Sequence, residues 1–472
     1  MVFNSYTFIV FFVTVFLYTR YTSSWTGKKT MLLLASYLFY AAWNPPFVIL
    51  IWISTVVDWY ISRAIAASSI QSRKRFLVVL SLSANLGLLG YFKYGGFILD
   101  NFVALLATIG VQYSPAQLDV ILPVGISFYT FQTLSYTLDV YRGNLKPWNS
   151  FLDYALFVTF FPQLVAGPIV RASEFLPQTT VEKRATNSQV GWGLGLIVLG
   201  LFQKVVVADG LLAPITEKVF DSNLIPAPLA SGVGTLSFAG QIFCDFAGYS
   251  TIAIGTAMCL GFALPDNFRF PYAAIGFSDF WRRWHISLSS WLRDYLYISL
   301  GGNRGGSFAT HRNLMLTMFL GGLWHGASWN FAIWGCLHGG YLIAERLLVS
   351  VFGGSAFWKK TLPQLALGAA TFGLVCFAWI FFRADTLQRS YEMVLGLSTL
   401  GPRELYVSTA DTLIILGVVG TLLALHALLR NSTLEDMARK VPVILKAVVI
   451  AVMVAAIVMS PGEDRAFIYF QF

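Results

Sequence analysis

The chain has 472 residues, of which Lys and Arg contribute 32 and Asp and Glu 23, so charged residues make up only 12%, about half of the roughly 25% usual in soluble globular proteins. With 56% hydrophobic residues and a mean hydropathy of +0.66, it carries more apolar surface than a water-soluble fold of this size can enclose. That excludes a soluble enzyme, and the formal net charge of +9, scattered in ones and threes at the edges of apolar runs, excludes a nucleic-acid-binding surface.

A helix needs about 20 apolar residues to cross the hydrocarbon core, and the chain offers many such runs. The first, 7–19, has no basic residue before it and no small-residue cleavage site after it, so it reads as a retained helix rather than a signal peptide. A long run over 30–57 breaks at Asn44-Pro45-Pro46 and must fold back. Charge-free runs follow at 76–92, 120–138 and 154–170, then shorter ones at 190–203 and 229–244, then 246–265. Beyond them, 313–344 is broken by the glycines around Trp324, and 361–382, 412–429 and 447–461 complete the set. Together they predict an all-α, polytopic integral membrane protein in a single domain, 1–472.

Orientation follows from the short loops. Arg20, Lys28 and Lys29 follow the first span and Arg63, Arg73, Lys74 and Arg75 the third, whereas the Asn-Pro-Pro turn carries no charge. The positive-inside bias makes those basic loops cytoplasmic and the N-terminus extracytoplasmic. Arg430, Arg439, Lys440 and Lys446 before the last span set the tail, 462–472, on the outer face as well. The cysteines, Cys244, Cys259, Cys336 and Cys376, lie inside apolar stretches without a CxxC pair and read as core fillers.

Between 266 and 312 the character changes. From 281 to 312 stand five arginines, Arg282, Arg283, Arg293, Arg304 and Arg312, against one acid, Asp294, a formal charge of +4. The segment is too polar to cross and too aromatic for a plain solvent loop. Either it is a cytoplasmic interfacial helix anchored by Trp and Arg, or a partly re-entrant wall that binds an anionic ligand.

Three of the five histidines, His325, His338 and His426, lie within uncharged apolar runs, where an ionisable group usually faces the protein interior or a water-filled cavity. His325 stands in GGLWHGASWN (321–330), whose small residues let backbone or substrate approach closely; a structural histidine between helices is the alternative. His338 and His426 read as structural. His285 sits in the Arg- and Trp-rich stretch. No HExxH, GxSxG or GxxxxGK[ST] pattern is present, so neither a zinc site nor a nucleophile elbow nor a phosphate loop is expected. GGNRGG (301–306) reads as a flexible turn or a phosphate cradle. A buried neutral imidazole suits accepting a proton from a hydroxyl that attacks an acyl group, and arginines on the cytoplasmic side suit the phosphates of a nucleotide-bearing donor.

SDFWRRWHISLSSWLRDYLYISLGGNRGG (278–306) followed by NLMLTMFLGGLWHGASWNFAIWGCLHG (313–339) strongly resembles the membrane-bound O-acyltransferase (MBOAT) family, and within it the branch of bacterial alginate O-acetyltransferase membrane subunits. LPVGISFYTFQTLSYTLDVYRG (122–143), FFPQLVAGPIVR (160–171) and QIFCDFAGYSTIAIG (241–255) match in order. The resemblance implies roughly 11 transmembrane helices with re-entrant or interfacial helices around a central funnel, in the bacterial inner membrane. It implies catalytic histidines at His325 and His285 and acetyl-CoA as donor, with no bound cofactor. The expected donor-binding residues are Arg282, Arg283, Arg293, Arg304 and Trp324; Asn330 and the backbone near Gly326 are candidates for oxyanion contacts. One departure is Thr251, where close relatives carry a second acid in the Asp-Phe-Ser-Gly-Tyr-Ser-Asp pattern, and it bears on the acceptor side.

The chain ends in FIYFQF (467–472). Periodicity alone makes this an aromatic interfacial anchor. It also resembles the tyrosine-bearing tail of the small partner peptide in teichoic-acid D-alanylation, which implies Tyr469 as an acyl acceptor. A phenol with a pKa of about 10 needs a base to become nucleophilic, and His325 is the expected one. The leading expectation is transfer of acetyl from cytoplasmic acetyl-CoA to an extracytoplasmic polysaccharide. An SGNH-type periplasmic acetyl-transferring protein and a polysaccharide synthesis complex are the expected partners. A polysaccharide export component and a D-alanyl transferase are the alternatives, the first weakened by the lack of evident inverted repeats.

Overall fold

The structure, a computed structural model, describes every residue except 117–119, 166, 399–405, 461–464, 466 and 469–472. All of the secondary structure among the described residues is helical, as expected where backbone N–H and C=O groups must satisfy one another in hydrocarbon. Among the described residues, six helices are long and apolar enough to cross a membrane: Pro45–Ala67, Gln71–Thr108, Asn187–Phe220, Pro228–Cys259, Thr361–Arg383 and Thr409–Leu429. Tyr6–Tyr21 and Val443–Met459 are shorter apolar helices. The chain divides into two units, Met1–Leu194 with Ala253–Pro265, and Gly195–Ile252 with Asp266–Phe472.

In the first unit, the Asn-Pro-Pro break becomes a single 3-10 turn, Pro45–Phe47, between helices Trp25–Ala41 and Val48–Ala67, because proline lacks the N–H needed to continue a helix. A polar knot then fixes three helices. Asp58, fully buried on Val48–Ala67, accepts hydrogen bonds from Asn85 Nδ2 at 2.7 Å, Thr137 Oγ1 at 2.9 Å and Ser81 Oγ. Ser54 Oγ donates to Asn85 Oδ1 at 2.5 Å. A buried carboxyl is tolerated in such a place only when its oxygens are satisfied, so the knot sets the register of Val48–Ala67, Gln71–Leu89 and Ile126–Arg142.

The run 154–170 does not form one crossing. Helix Phe151–Thr159 stops at Phe160, and a separate turn, Phe161–Leu164, begins with Pro162 in its first two positions. Lys28 and Lys29, counted among the orienting basic residues, are drawn into ion pairs with Glu182 at 3.1 Å and Asp153 at 2.5 Å.

Two runs separated by Asp245 join into one helix, Pro228–Cys259, and the run 190–203 extends past Lys204 and Asp209 to Phe220. The charges that divide these runs in the sequence neutralise each other: Lys204 Nζ lies 2.6 Å from Asp245 and 2.8 Å from Asp209. The glycines around Trp324 do make the break expected of them. Helix Gly306–His325 ends at Gly326, and Trp329–Phe352 returns. Their backbones nearly touch, since a Cβ on Gly322 would strike Phe331 O and one on Gly335 would strike Met318 O; only glycine permits that approach.

Between Asp266 and Arg312 the chain forms short pieces, Pro271–Ala273, Phe277–Trp281, Ile286–Trp291 and Leu292–Tyr297, before Gly306–His325 begins. None is long enough to cross a bilayer. Of the cysteines, Cys244, Cys259 and Cys376 are buried as expected, but Cys336 is exposed on Trp329–Phe352.

Candidate functional site: two histidines around one indole

The Arg- and Trp-rich stretch folds as a tight turn whose centre is His285. Its backbone is left-handed, φ 42° and ψ 55°, a conformation uncommon for a residue other than glycine and worth attention as a site of stored strain. Asn267 holds it there. The Asn267 carbonyl accepts from the Ile286 amide at 2.9 Å, and the Asn267 side chain meets His285 Nδ1 at 3.0 Å.

The same contacts fix the proton. Ser287 N–H and Ser287 Oγ both point at one Asn267 side-chain atom, at 3.4 and 2.8 Å. A backbone amide only donates, so that atom is the carbonyl Oδ1. Asn267 Nδ2 then faces the other way and donates to Ser250 Oγ at 3.1 Å. Oδ1 accepts, so Nδ1 of His285 carries the hydrogen and Nε2 keeps the lone pair. His285 is fully buried, and burial pushes its pKa down to about 3, which keeps the ring neutral at physiological pH.

His325 reaches the same place from another element. It is the last residue of Gly306–His325 and is 3% exposed. Trp324 joins the two histidines, its ring centroid 6.0 Å from that of His285 and 5.0 Å from that of His325. Trp334 and Phe382 press edge-on against His325 at 5.0 and 5.1 Å. Rings therefore crowd a buried imidazole, a setting in which the neutral form is favoured and a developing charge is felt strongly.

On its far side His285 meets Phe246, ring centroids 4.6 Å apart, and Phe246 meets Phe467 at 5.6 Å. Phe467 lies two residues before Tyr469, which itself lies outside the described residues. A continuous line of rings thus runs Phe467, Phe246, His285, Trp324, His325, all within the second unit.

The remaining expected site residues divide. Arg282, Arg293 and Arg304 are exposed, with Arg293 bound to its neighbour Asp294 at 2.6 Å. Arg283 is half-buried and held internally: it pairs with Asp279 at 2.9 Å and donates to Arg430 O at 2.9 Å. Asn330 donates to Ala384 O at 2.6 Å and accepts from Ser390 Oγ at 3.0 Å, so its amide ties helices together. Thr251 returns its hydroxyl to Ala247 O one turn back at 2.7 Å. His426 accepts from the Tyr272 amide at 3.3 Å, the structural role expected of it. His338 is fully buried among the rings of Phe280, Trp281 and Trp334.

Ser250 and Ser287 lie inside the motifs 241–255 and 278–306, which assign them no role, and Asn267 lies in neither; only the fold brings Asn267 beside a histidine 18 residues further on. The one signal was the run of small polar residues, Ser287, Ser289 and Ser290, just after His285.

With this geometry in hand, comparison with known proteins is direct. Residues 147–381, which contain both histidines, match the model of the membrane-bound O-acyltransferase family. The chain is 41% identical over 408 residues to a protein named "Probable alginate O-acetylase" from Pseudomonas aeruginosa, covering 86% of this chain and 76% of that one. A protein of the same name from Pseudomonas putida is 37% identical over 500 residues, covering 100% of both. A "Peptidoglycan O-acetyltransferase" from Helicobacter pylori is 37% identical, covering 84% of this chain and 80% of that one. The matched motifs, the apolar helices and the paired histidines agree: the chain belongs to the membrane-bound O-acyltransferase family and is a multi-pass membrane O-acyltransferase.

Proposed function

We propose that this enzyme is a transmembrane O-acetyltransferase of the bacterial inner membrane. It takes acetyl from cytoplasmic acetyl-CoA and passes it toward an extracytoplasmic polysaccharide. Both termini lie outside, and the exposed Arg282, Arg293 and Arg304 form the cytoplasmic approach for the donor's phosphates. The observation that carries the reading is the pair of buried histidines on one indole, Trp324, with the described end of the chain, Phe467, joined to them through Phe246. The names of the relatives, two acting on alginate and one on peptidoglycan, support acetyl as the group and a cell-envelope polymer as the destination.

The chemistry requires a base, a nucleophile and an acyl donor. The phenol oxygen of Tyr469 attacks the thioester carbonyl carbon while a ring nitrogen of His325 takes the phenol proton. The new C–O bond forms as the C–S bond breaks, and the same proton passes to the departing sulfur, so that CoA leaves as the thiol. His285, kept neutral by burial and oriented by Asn267, positions the donor side of the site. A hydroxyl of an SGNH-type periplasmic partner then attacks the acetyl-tyrosine; its new C–O bond forms as the tyrosine ester bond breaks, its proton returns to the phenol, and the acetylated partner serves the polysaccharide synthesis complex.

The test is direct. Purified protein incubated with acetyl-CoA labelled in the acetyl group is digested, and the label is mapped by mass spectrometry. Label on the C-terminal peptide, lost in a Tyr469→Phe variant, is the expected result. A Tyr469→Phe protein that passes acetyl on at the wild-type rate rules out the tail as acceptor.

A further inference from the structure

The last described residues of the chain are held by more than ring contacts. The Ile468 amide donates to Asp245 Oδ2 at 2.8 Å. Asp245 is 2% exposed and lies in the middle of Pro228–Cys259, and its other oxygen meets Lys204 Nζ at 2.6 Å. Lys204, 1% exposed, also meets Asp209 at 2.8 Å and lies 5.8 Å over the ring of Tyr249. Phe467, itself fully buried, packs on Tyr249 at 4.4 Å and on Phe246 at 5.6 Å. Further back, Arg465 pairs with Glu217.

Two acids sharing one lysine is an expensive arrangement for the interior of a membrane protein. Lys204 meets both carboxylates, and Asp245 turns its second oxygen to a backbone amide of the tail. A backbone amide is blind to side-chain identity, so the contact fixes the position of the chain rather than its sequence. A charged acceptor gives a stronger hydrogen bond than a neutral one.

We propose that Asp245 is a positioning residue: oriented by Lys204, it clamps the backbone at Ile468, and acyl transfer to the tail depends on that clamp. Phe467 seated between Phe246 and Tyr249 supplies the apolar half of the clamp, and Arg465 on Glu217 the outer tether. The inference rests on the tail reading of the preceding section, but the clamp can be measured by itself.

Two readouts on the full-length protein separate the possibilities. Hydrogen–deuterium exchange of the C-terminal peptide reports the clamp, and acetyl label on Tyr469 reports its use. Asp245→Ala is expected to speed exchange at the tail about tenfold or more, leave helix Gly306–His325 unchanged, and lower Tyr469 labelling by a similar factor. Asp245→Asn keeps a carbonyl acceptor for Ile468 and is expected to restore part of both. Should Asp245→Ala fail to fold, Arg465→Gln and Phe467→Ala loosen the same clamp from the tail side and are expected to speed exchange in the same peptide. Tail exchange equally fast in wild type and in these variants overturns the clamp. A protected tail in a wild type that carries no acetyl on Tyr469 leaves the clamp standing and defeats the acceptor reading. Slow exchange lost in Asp245→Ala with labelling unchanged overturns the positioning role.

Discussion

Asn267 is the residue on which His285 depends. It fixes the imidazole as the Nδ1–H tautomer, with Ser287 and Ser250 fixing Asn267 in turn. Asn267→Leu removes the acceptor while keeping the volume. It is expected to cost about 1–3 kcal/mol in stability for the donors left without partners and to slow acetyl transfer about 10²-fold, read from the melting temperature and the initial rate of CoA thiol release. His285 also makes a pH prediction with a definite sign. Its folded pKa, about 3, lies below the ordinary imidazole value of 6.5 because burial disfavours the charged ring. The neutral ring's contribution to stability is complete above about pH 6.5 and is lost as pH falls toward 3, at up to about 1.4 kcal/mol per pH unit. A melting-temperature profile between pH 7 and 4 should be flatter for His285→Gln than for wild type; parallel profiles would show that His285 is not what titrates. His285 and His325 were legible in the sequence because each sits in a long, distinctive motif. Asn267 was not, because an asparagine acquires this role only when folding brings it across from another segment.

At the scale of elements, the helices Gly306–His325 and Trp329–Phe352 decide where His325 stands. Their crossing depends on glycines that bring backbone against backbone. Gly335→Ala would force a Cβ onto the Met318 carbonyl, and overpacking of this kind typically costs about 1–3 kcal/mol. The expected result is a lower melting temperature together with loss of transfer, since the helix that ends in His325 must shift. Gly340→Ala on the same helix meets nothing within 4 Å and exchanges glycine for a better helix former, so its melting temperature should hold or rise slightly. Equal effects from the two would show that the crossing is not tight. The break at the glycines and the break at Pro45-Pro46 were readable because both residue types act locally. The 32-residue helix Pro228–Cys259 was not: Asp245 divides its apolar run, and the lysine that neutralises it, Lys204, is 41 residues earlier in the chain. Hydropathy sees the charge and not its partner. The apolar run 154–170 misled in the opposite direction, because a Phe-Phe-Pro sequence ends a helix that composition alone would continue.

Across the whole molecule, low charge content marks a membrane protein, and several of the charges that remain are paired within it. Lys28, Lys29, Lys204 and Arg283 are tied to acids inside their units, whereas Arg282 and Arg304 stay exposed, as does Arg293 although it pairs with Asp294. Neutralising these three together, Arg282→Gln, Arg293→Gln and Arg304→Gln, is expected to raise KM for acetyl-CoA with little change in kcat, as for groups that attract the donor's phosphates without acting in the transfer. A fall in kcat at constant KM would place them in the chemistry instead. An export component with histidines lining a conduit would behave differently again, losing polymer at the cell surface rather than acetyl groups on it. The central claim is that His325 is the base of an acetyl transfer, and the most direct measurement is the rate of acetyl transfer from labelled acetyl-CoA by purified His325→Ala protein beside wild type, both verified as inserted and folded. The expected result is a loss of about 10²–10⁴-fold, far beyond what the drop in melting temperature from a vacated buried site explains; a His325→Ala protein that transfers acetyl at the wild-type rate would contradict it.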